Sequence, residues 1–101
     1  MLNDTAGALK DYNIALAIKP KYAEALNNKG IIKLNQNRIR EAMVNFNSSI
    51  AIDPKHATSY RNRGILKLMM KDTAQALADF HIALKLGNAS SENLIKMISK
   101  K

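Results

Sequence analysis

Shifted by one fixed interval, the chain lies on a copy of itself. Ala23 falls on Ala57, Asn28 on Asn62, Gly30 on Gly64, Ile31 on Ile65, Lys33 on Lys67, Leu34 on Leu68, Ala42 on Ala76 and Phe46 on Phe80, each pair separated by 34. A shift of two intervals lays NDTAGALKDYNIAL (3–16) on KDTAQALADFHIAL (71–84), with nine of fourteen positions identical and no gap. An interval of this length constrains the fold more than any other feature. A unit this short cannot bury its apolar face alone and must stack on its neighbours.

Each unit reads as two helices. Residues 22–35 carry Leu26, Ile31 and Leu34 near helical spacing, and NQNR (35–38) interrupts them. Residues 39–52 place Ala42, Met43, Phe46 and Ile50 on one face, and Asp53-Pro54 ends that helix, because proline disfavours helical backbone in the residue before it. The plan recurs as a helix over 56–70, a turn at Lys71-Asp72, and a helix over 73–86 with Gly87 as a left-handed C-cap. Asp72 or Thr73 can cap that second helix, as Asp4 or Thr5 can cap an earlier one over 4–18. Ser90 can cap a last short helix over 91–99 before a basic end.

Composition agrees with a helical chain. Two Pro and four Gly in 101 residues leave room for long helices, and the absence of Cys removes disulfides and thiolate metal sites. The net charge of +8 favours acidic partners without fixing a fold. The start, MLNDTAGALK, lacks the basic and apolar regions of a signal peptide, and no apolar run approaches a membrane span, so the expectation is a cytoplasmic chain without membrane insertion. Asn3, Asn47 and Asn88 each open an N-x-[ST] triplet, read here as chance.

These residues resemble the tetratricopeptide repeat, whose 34-residue pattern runs from a large residue through Leu-Gly and Tyr to Ala-x3-Phe and Pro. Leu26, Gly30, Ala42, Phe46 and Pro54 sit on it, as do Tyr60, Gly64, Ala76 and Phe80; Ala8, Tyr12 and Pro20 match the second half of a unit. The match covers about nine-tenths of the chain. It implies an all-α, right-handed solenoid of antiparallel helix pairs. Residues 1–20 would be the second helix of an incomplete first repeat, 21–54 and 55–88 full repeats, and 89–101 a C-terminal capping helix and basic tail. Gly30 with Ala42, and Gly64 with Ala76, would let the two helices of a unit approach closely, with Phe46 and Phe80 filling space toward the neighbouring helix. The chain departs from the pattern at Lys29, Lys33, Arg63 and Lys67, where the family has Leu and Tyr, and at Asn88, where it has Pro. The helix over 4–18 has no partner on its N-terminal side. That suggests a piece of a longer array, or a homo-oligomer formed through that end.

The resemblance also implies a function: a protein-interaction scaffold that holds an extended peptide in a concave groove. The groove positions it assigns are Glu24, Asn27, Asn28, Ile31, Leu34 and Asn35, then Thr58, Arg61, Asn62, Ile65, Leu68 and Met69. Amides there would bond the peptide backbone and aliphatic side chains would take its apolar groups. In some members an Asn at the position of Asn28 and Asn62 forms a ladder along the groove; the alternative is that each amide is solvated or bonds the adjacent helix. A carboxylate clamp for chaperone tails is not expected, because Thr58 and Asn62 stand where that clamp has cations. Self-association, or a spacer role in a longer array, is the alternative function.

Lys29, Lys33, Arg63 and Lys67 form i,i+4 pairs and so define a candidate basic stripe. It would serve an acidic protein, or RNA by salt-sensitive and non-specific contact; without interleaved aromatics, nucleic acid is the less expected partner. His56 and His81 have no repeated partner spacing, Asp11 and Asp79 are repeat-equivalent near helix middles, and no phosphate loop, nucleophile motif or metal pattern occurs. No enzyme and no cofactor is therefore expected. Asp11 and Asp79 read as structural or solvated.

Overall fold

Five helices follow one another in the computed structural model, which describes residues 22–99: α1 (Ala23–Asn35), α2 (Ile39–Ile52), α3 (Ala57–Met69), α4 (Thr73–Lys85) and α5 (Ser90–Ser99). The described residues contain no strand. The expected helix over 4–18, with the part-unit 1–20 to which it was assigned, lies outside the described residues, as do the last two lysines of the basic tail. The most extensive packing joins α1 to α2 and α3 to α4; α2 against α3, α4 against α5 and α1 against α3 are smaller contacts.

Within each pair, a glycine lets an aromatic ring touch backbone. A Cβ added at Gly30 would lie 2.5 Å from the Phe46 ring, and one at Gly64 would lie 2.6 Å from the Phe80 ring. Real Cβ atoms do not approach that closely, so the ring occupies the space that a side chain would need. The close approach falls where the small residues suggested, and the ring of the same unit is what fills it. Phe46, Phe80, Ala42 and Ala76 are wholly buried around these contacts. Leu66 of α3 joins Ala42 and Phe46 of α2 in the core cluster, which carries the packing from one pair into the next. Ile31, Leu34, Ile39 and Met43 close around it, half-buried.

The turns repeat as faithfully as the core. After α1, the Arg38 N–H donates to the Lys33 carbonyl (2.8 Å) and the Asn37 N–H to that of Leu34 (2.9 Å), with Asn37 at φ 62. After α3, Asp72 and Lys71 bond Lys67 and Leu68 in the same way, with Lys71 at φ 66. After α4, Asn88 and Gly87 bond Ala83 and Leu84, with Gly87 at φ 105. This is the Schellman arrangement, which satisfies the last carbonyls of a helix by a left-handed residue. Gly87 fills the role its type suggested. Lys71, with a Cβ, is the least suited of the three. Asp72 caps α4, its Oδ1 accepting from the Gln75 N–H at 3.3 Å. At α5 the expected boundary moves by one residue: Ser90 lies inside the helix, and Asn88 Oδ1 accepts from the Ser90 and Ser91 hydroxyls (2.8 and 2.9 Å).

Two measurements check these placements by chemical denaturation. An unconstrained helical Gly→Ala change gains about 1 kcal/mol from propensity. Gly30→Ala should instead lose about 1–3 kcal/mol through overlap with Phe46, and Phe46→Leu in the same chain should recover part of that loss. Lys71→Gly should gain about 0.5–1 kcal/mol by relieving the left-handed backbone, and Asn37→Gly distinctly less, because Asn already tolerates that conformation.

Candidate functional site

The first helices α1 and α3 lie side by side and carry all twelve groove positions expected from the sequence. Glu24, Asn28, Asn35, Thr58 and Met69 are exposed or half-buried, as are Ile31, Leu34, Arg61, Ile65 and Leu68. This leaves an accessible surface of mixed character, with a carboxylate, amides and aliphatic groups beside the Arg61 guanidinium. Met69, at 54% exposure, adds a flexible apolar side chain at one end.

Asn27 and Asn62 depart from the expectation of free groove amides. They are 2% and 7% exposed, and the Asn62 Nδ2 donates to the Asn27 Oδ1 at 2.9 Å. The Asn62 Oδ1 accepts from Arg61 Nη1 at 3.3 Å. Asn62 thus uses one donor and one acceptor site within the protein, and its bond to Asn27 ties α3 to α1. Asn28, its counterpart one repeat earlier, stays exposed. The two amides that look equivalent in sequence therefore do different work, because only one has a preceding first helix beside it among the described residues.

The four basic positions are also placed differently from a strip of open charge. Arg63 grips Asp79 with Nε and Nη2 at 2.9 and 2.8 Å, and Lys67 Nζ lies 3.2 Å from the same carboxylate. Lys33 Nζ is 3.1 Å from Glu41. Three of the four cations thus point their charge across to the second helix of their own pair. The cause lies in the positions: the Phe46 and Phe80 rings sit against Gly30 and Gly64, so cations on that side of the first helix face the partner helix and need a counter-charge. Asp79, expected to be structural or solvated, is the buried hub of this arrangement at 2% exposure. Its hydrogen bonds raise the Arg63 pKa above the usual guanidinium value, against the opposing effect of burial. Burial, then repulsion from Lys33, lowers the Lys29 pKa. Arg63 Nη1 also donates to Asn47 Oδ1 (3.0 Å), which engages one of the three N-x-[ST] amides. The Arg63 guanidinium lies 5.6 Å from the Tyr60 ring centre, within cation–π range.

Sequence reasoning missed the seam between α2 and α3. Ser49 Oγ donates to the Ala23 carbonyl at 2.6 Å, Ser49 and Ser59 hydroxyls meet at 2.6 Å, and His56 Nδ1 meets Ser59 Oγ at 2.7 Å. Each hydroxyl has a single proton. Since Ser49 gives its proton to Ala23, Ser59 must donate to Ser49, and His56 must carry its proton on Nδ1 to donate to Ser59. His56, an ordinary turn histidine by sequence, therefore heads a chain of hydrogen bonds that crosses three helices. Its signal in the sequence is slight: two serines at otherwise apolar positions.

Among the described residues no group of three or more acidic or histidine side chains could hold a metal ion, and no helix is long and apolar enough to cross a membrane. No protein-family model matches the chain, and no curated protein matches it.

Asp79→Asn should cost about 3 kcal/mol in a denaturant titration, because it leaves Arg63 and Lys67 without their carboxylate. Glu41→Gln should leave the unfolding midpoint almost unchanged, since that carboxylate is open to solvent. The hydrogen bond from Lys33 holds the Glu41 pKa below the usual carboxylate value. Its small stabilisation is accordingly present above the ordinary carboxylate range and lost as pH falls through the lowered value.

Proposed function

We propose that this chain is a tetratricopeptide-like, right-handed α-solenoid that works as a protein-interaction scaffold, holding an extended peptide along the surface formed by α1 and α3. The observation that carries this reading is the Asn62–Asn27 bond, which holds the two first helices beside each other as one surface. Equal Gly–Phe packing in the two pairs supports it, because units built alike and stacked in register present alike faces. The peptide would run across Asn28, Ile31, Arg61, Ile65, Leu68 and Met69. Asn28 offers a donor and an acceptor to a peptide unit, and the half-buried aliphatic positions take apolar side chains. Arg61 favours an acidic group on the ligand: its guanidinium makes one long bond, to Asn62, and its Nε is buried without a partner. The ladder of two free amides shortens in this reading to Asn28 alone, with Asn62 as a brace.

The test is capture of partners by affinity purification with mass spectrometry, followed by mapping of the bound segment to a synthetic peptide. Asn28→Ala with Arg61→Ala should weaken that peptide about tenfold or more, as loss of central polar contacts does at an interface. The melt should hold, since neither side chain belongs to the core. Unchanged affinity would remove the groove from this surface. A partner that binds only at low salt, with no dependence on Asn28, would point to bulk charge instead.

A further inference from the structure

The two helix pairs differ at one buried position beside their Gly–Phe contacts. Asn45 on α2 and Asp79 on α4 are repeat-equivalent, and are 8% and 2% exposed. In the second pair the Asp79 carboxylate lies between Arg63 and Lys67, at 2.8 to 3.2 Å. In the first pair the matching cations are Lys29 and Lys33, and the helices approach as closely. Two helices joined by so short a turn run in opposite directions. Lys33 is set against Glu41 at 3.1 Å. One turn back along α1 and one turn on along α2, Lys29 is therefore set against Asn45.

Asn45 brings no charge to that place. Among the described residues no hydrogen bond holds its carboxamide, although buried amides are ordinarily bonded. Glu41 does not make up the difference. Its carboxylate is 53% exposed, at the rim, and meets a Lys33 side chain that is 14% exposed. The balance at Lys29 agrees: burial, then repulsion from Lys33, lowers its pKa by more than Glu41 raises it.

We infer that the Lys29–Lys33–Asn45 corner of the first pair binds a small oxyanion, phosphate or a free carboxylate, in the role that the Asp79 carboxylate has in the second. Each ammonium carries three donors, so Lys33 serves the ion and Glu41 together, and Lys29 takes the ion beside its other contacts. The Asn45 amide adds a neutral donor below them. Depth sets the class of ligand, because a corner floored by so buried an amide admits an ion and excludes a nucleic acid or a folded acidic partner. The inference does not rest on the peptide-surface reading.

The probe is inorganic phosphate, added to the full chain at neutral pH, with acetate as a second arm and sodium chloride of matched ionic strength as the control. Nitrogen-15 NMR follows the Asn45 side-chain amide and the backbone amides of Lys29 and Lys33. Shifts that saturate with phosphate, acetate or both are expected, and the arm that responds names the oxyanion. Lys33→Met should weaken the binding about tenfold, the loss of one charge-assisted hydrogen bond. Asn45→Asp should abolish the saturable response and raise the melting temperature, because it recreates the arrangement around Asp79. The inference is overturned if the Asn45 amide saturates with neither ion, or if sodium chloride reproduces the response, which would be bulk screening. It is equally overturned if Asn45→Asp binds as the natural chain does, or melts below it.

Discussion

The contact between a glycine and a phenylalanine ring inside each helix pair governs everything else in this molecule. It sets how closely α1 meets α2 and α3 meets α4, and thereby where every other side chain on those helices points. With the rings of Phe46 and Phe80 in the space of the absent side chains at Gly30 and Gly64, the flanking positions on the first helix are forced to face the partner helix. That is why Lys33, Arg63 and Lys67 meet carboxylates and do not spread over the surface. The close approach fixes the geometry; the ion pairs answer to it.

The two pairs answer in different ways. In the second, Asp79 sits deep and serves two cations at once; in the first, the equivalent position is Asn45, and the charge is met by Glu41 near the start of α2. The deeper arrangement is the more sensitive to loss of a partner, since a buried charge left alone cannot be rescued by water. The shallow one is screened and tolerant. A chain that keeps one shape through two chemistries shows that the backbone spacing, rather than any one charge pair, is what the repeat preserves.

Much of the fold is legible in the sequence because the repeat supplies its own check: the boundaries of one unit predict those of the next. Those of α2 coincide with the expected ones, and those of α1, α3, α4 and α5 fall within one residue at each end. The close approach at Gly30 and Gly64 is legible from size alone, but the ring that fills it is not, since size points equally to Ala42 and Ala76 as the facing residues. The candidate site is harder to read. Periodicity says which face of α1 and α3 a residue occupies, but not whether another helix already lies over it. The resemblance assigns Asn27 and Asn62 to an open groove; they are buried because the two first helices lie close enough for the amides to bond each other. The serine–histidine seam is illegible for a related reason: a serine in an apolar face has meaning only when the residue opposite is known.

That seam solves a problem which the repeat itself creates. Units alike in core and turns could stack in the wrong order, since α2 and α4 present nearly the same buried face. The interval is not even constant: Ser91, at the start of α5, takes the place of Ser59 before a full interval has passed, its N–H on the Asn88 carbonyl as that of Ser59 is on His56. Chemistry separates what shape does not. Ser59 placed on Ala83 of α4 would lose the acceptor it has in Ser49 and turn its hydroxyl back on His56, while Ser49 would lose its donor. This polar joint between the pairs therefore favours the native order over its near-copies, as a buried polar residue fixes register in other helical assemblies. In a chain whose units are so alike, the few positions that break the repeat are the ones that specify how the repeat assembles.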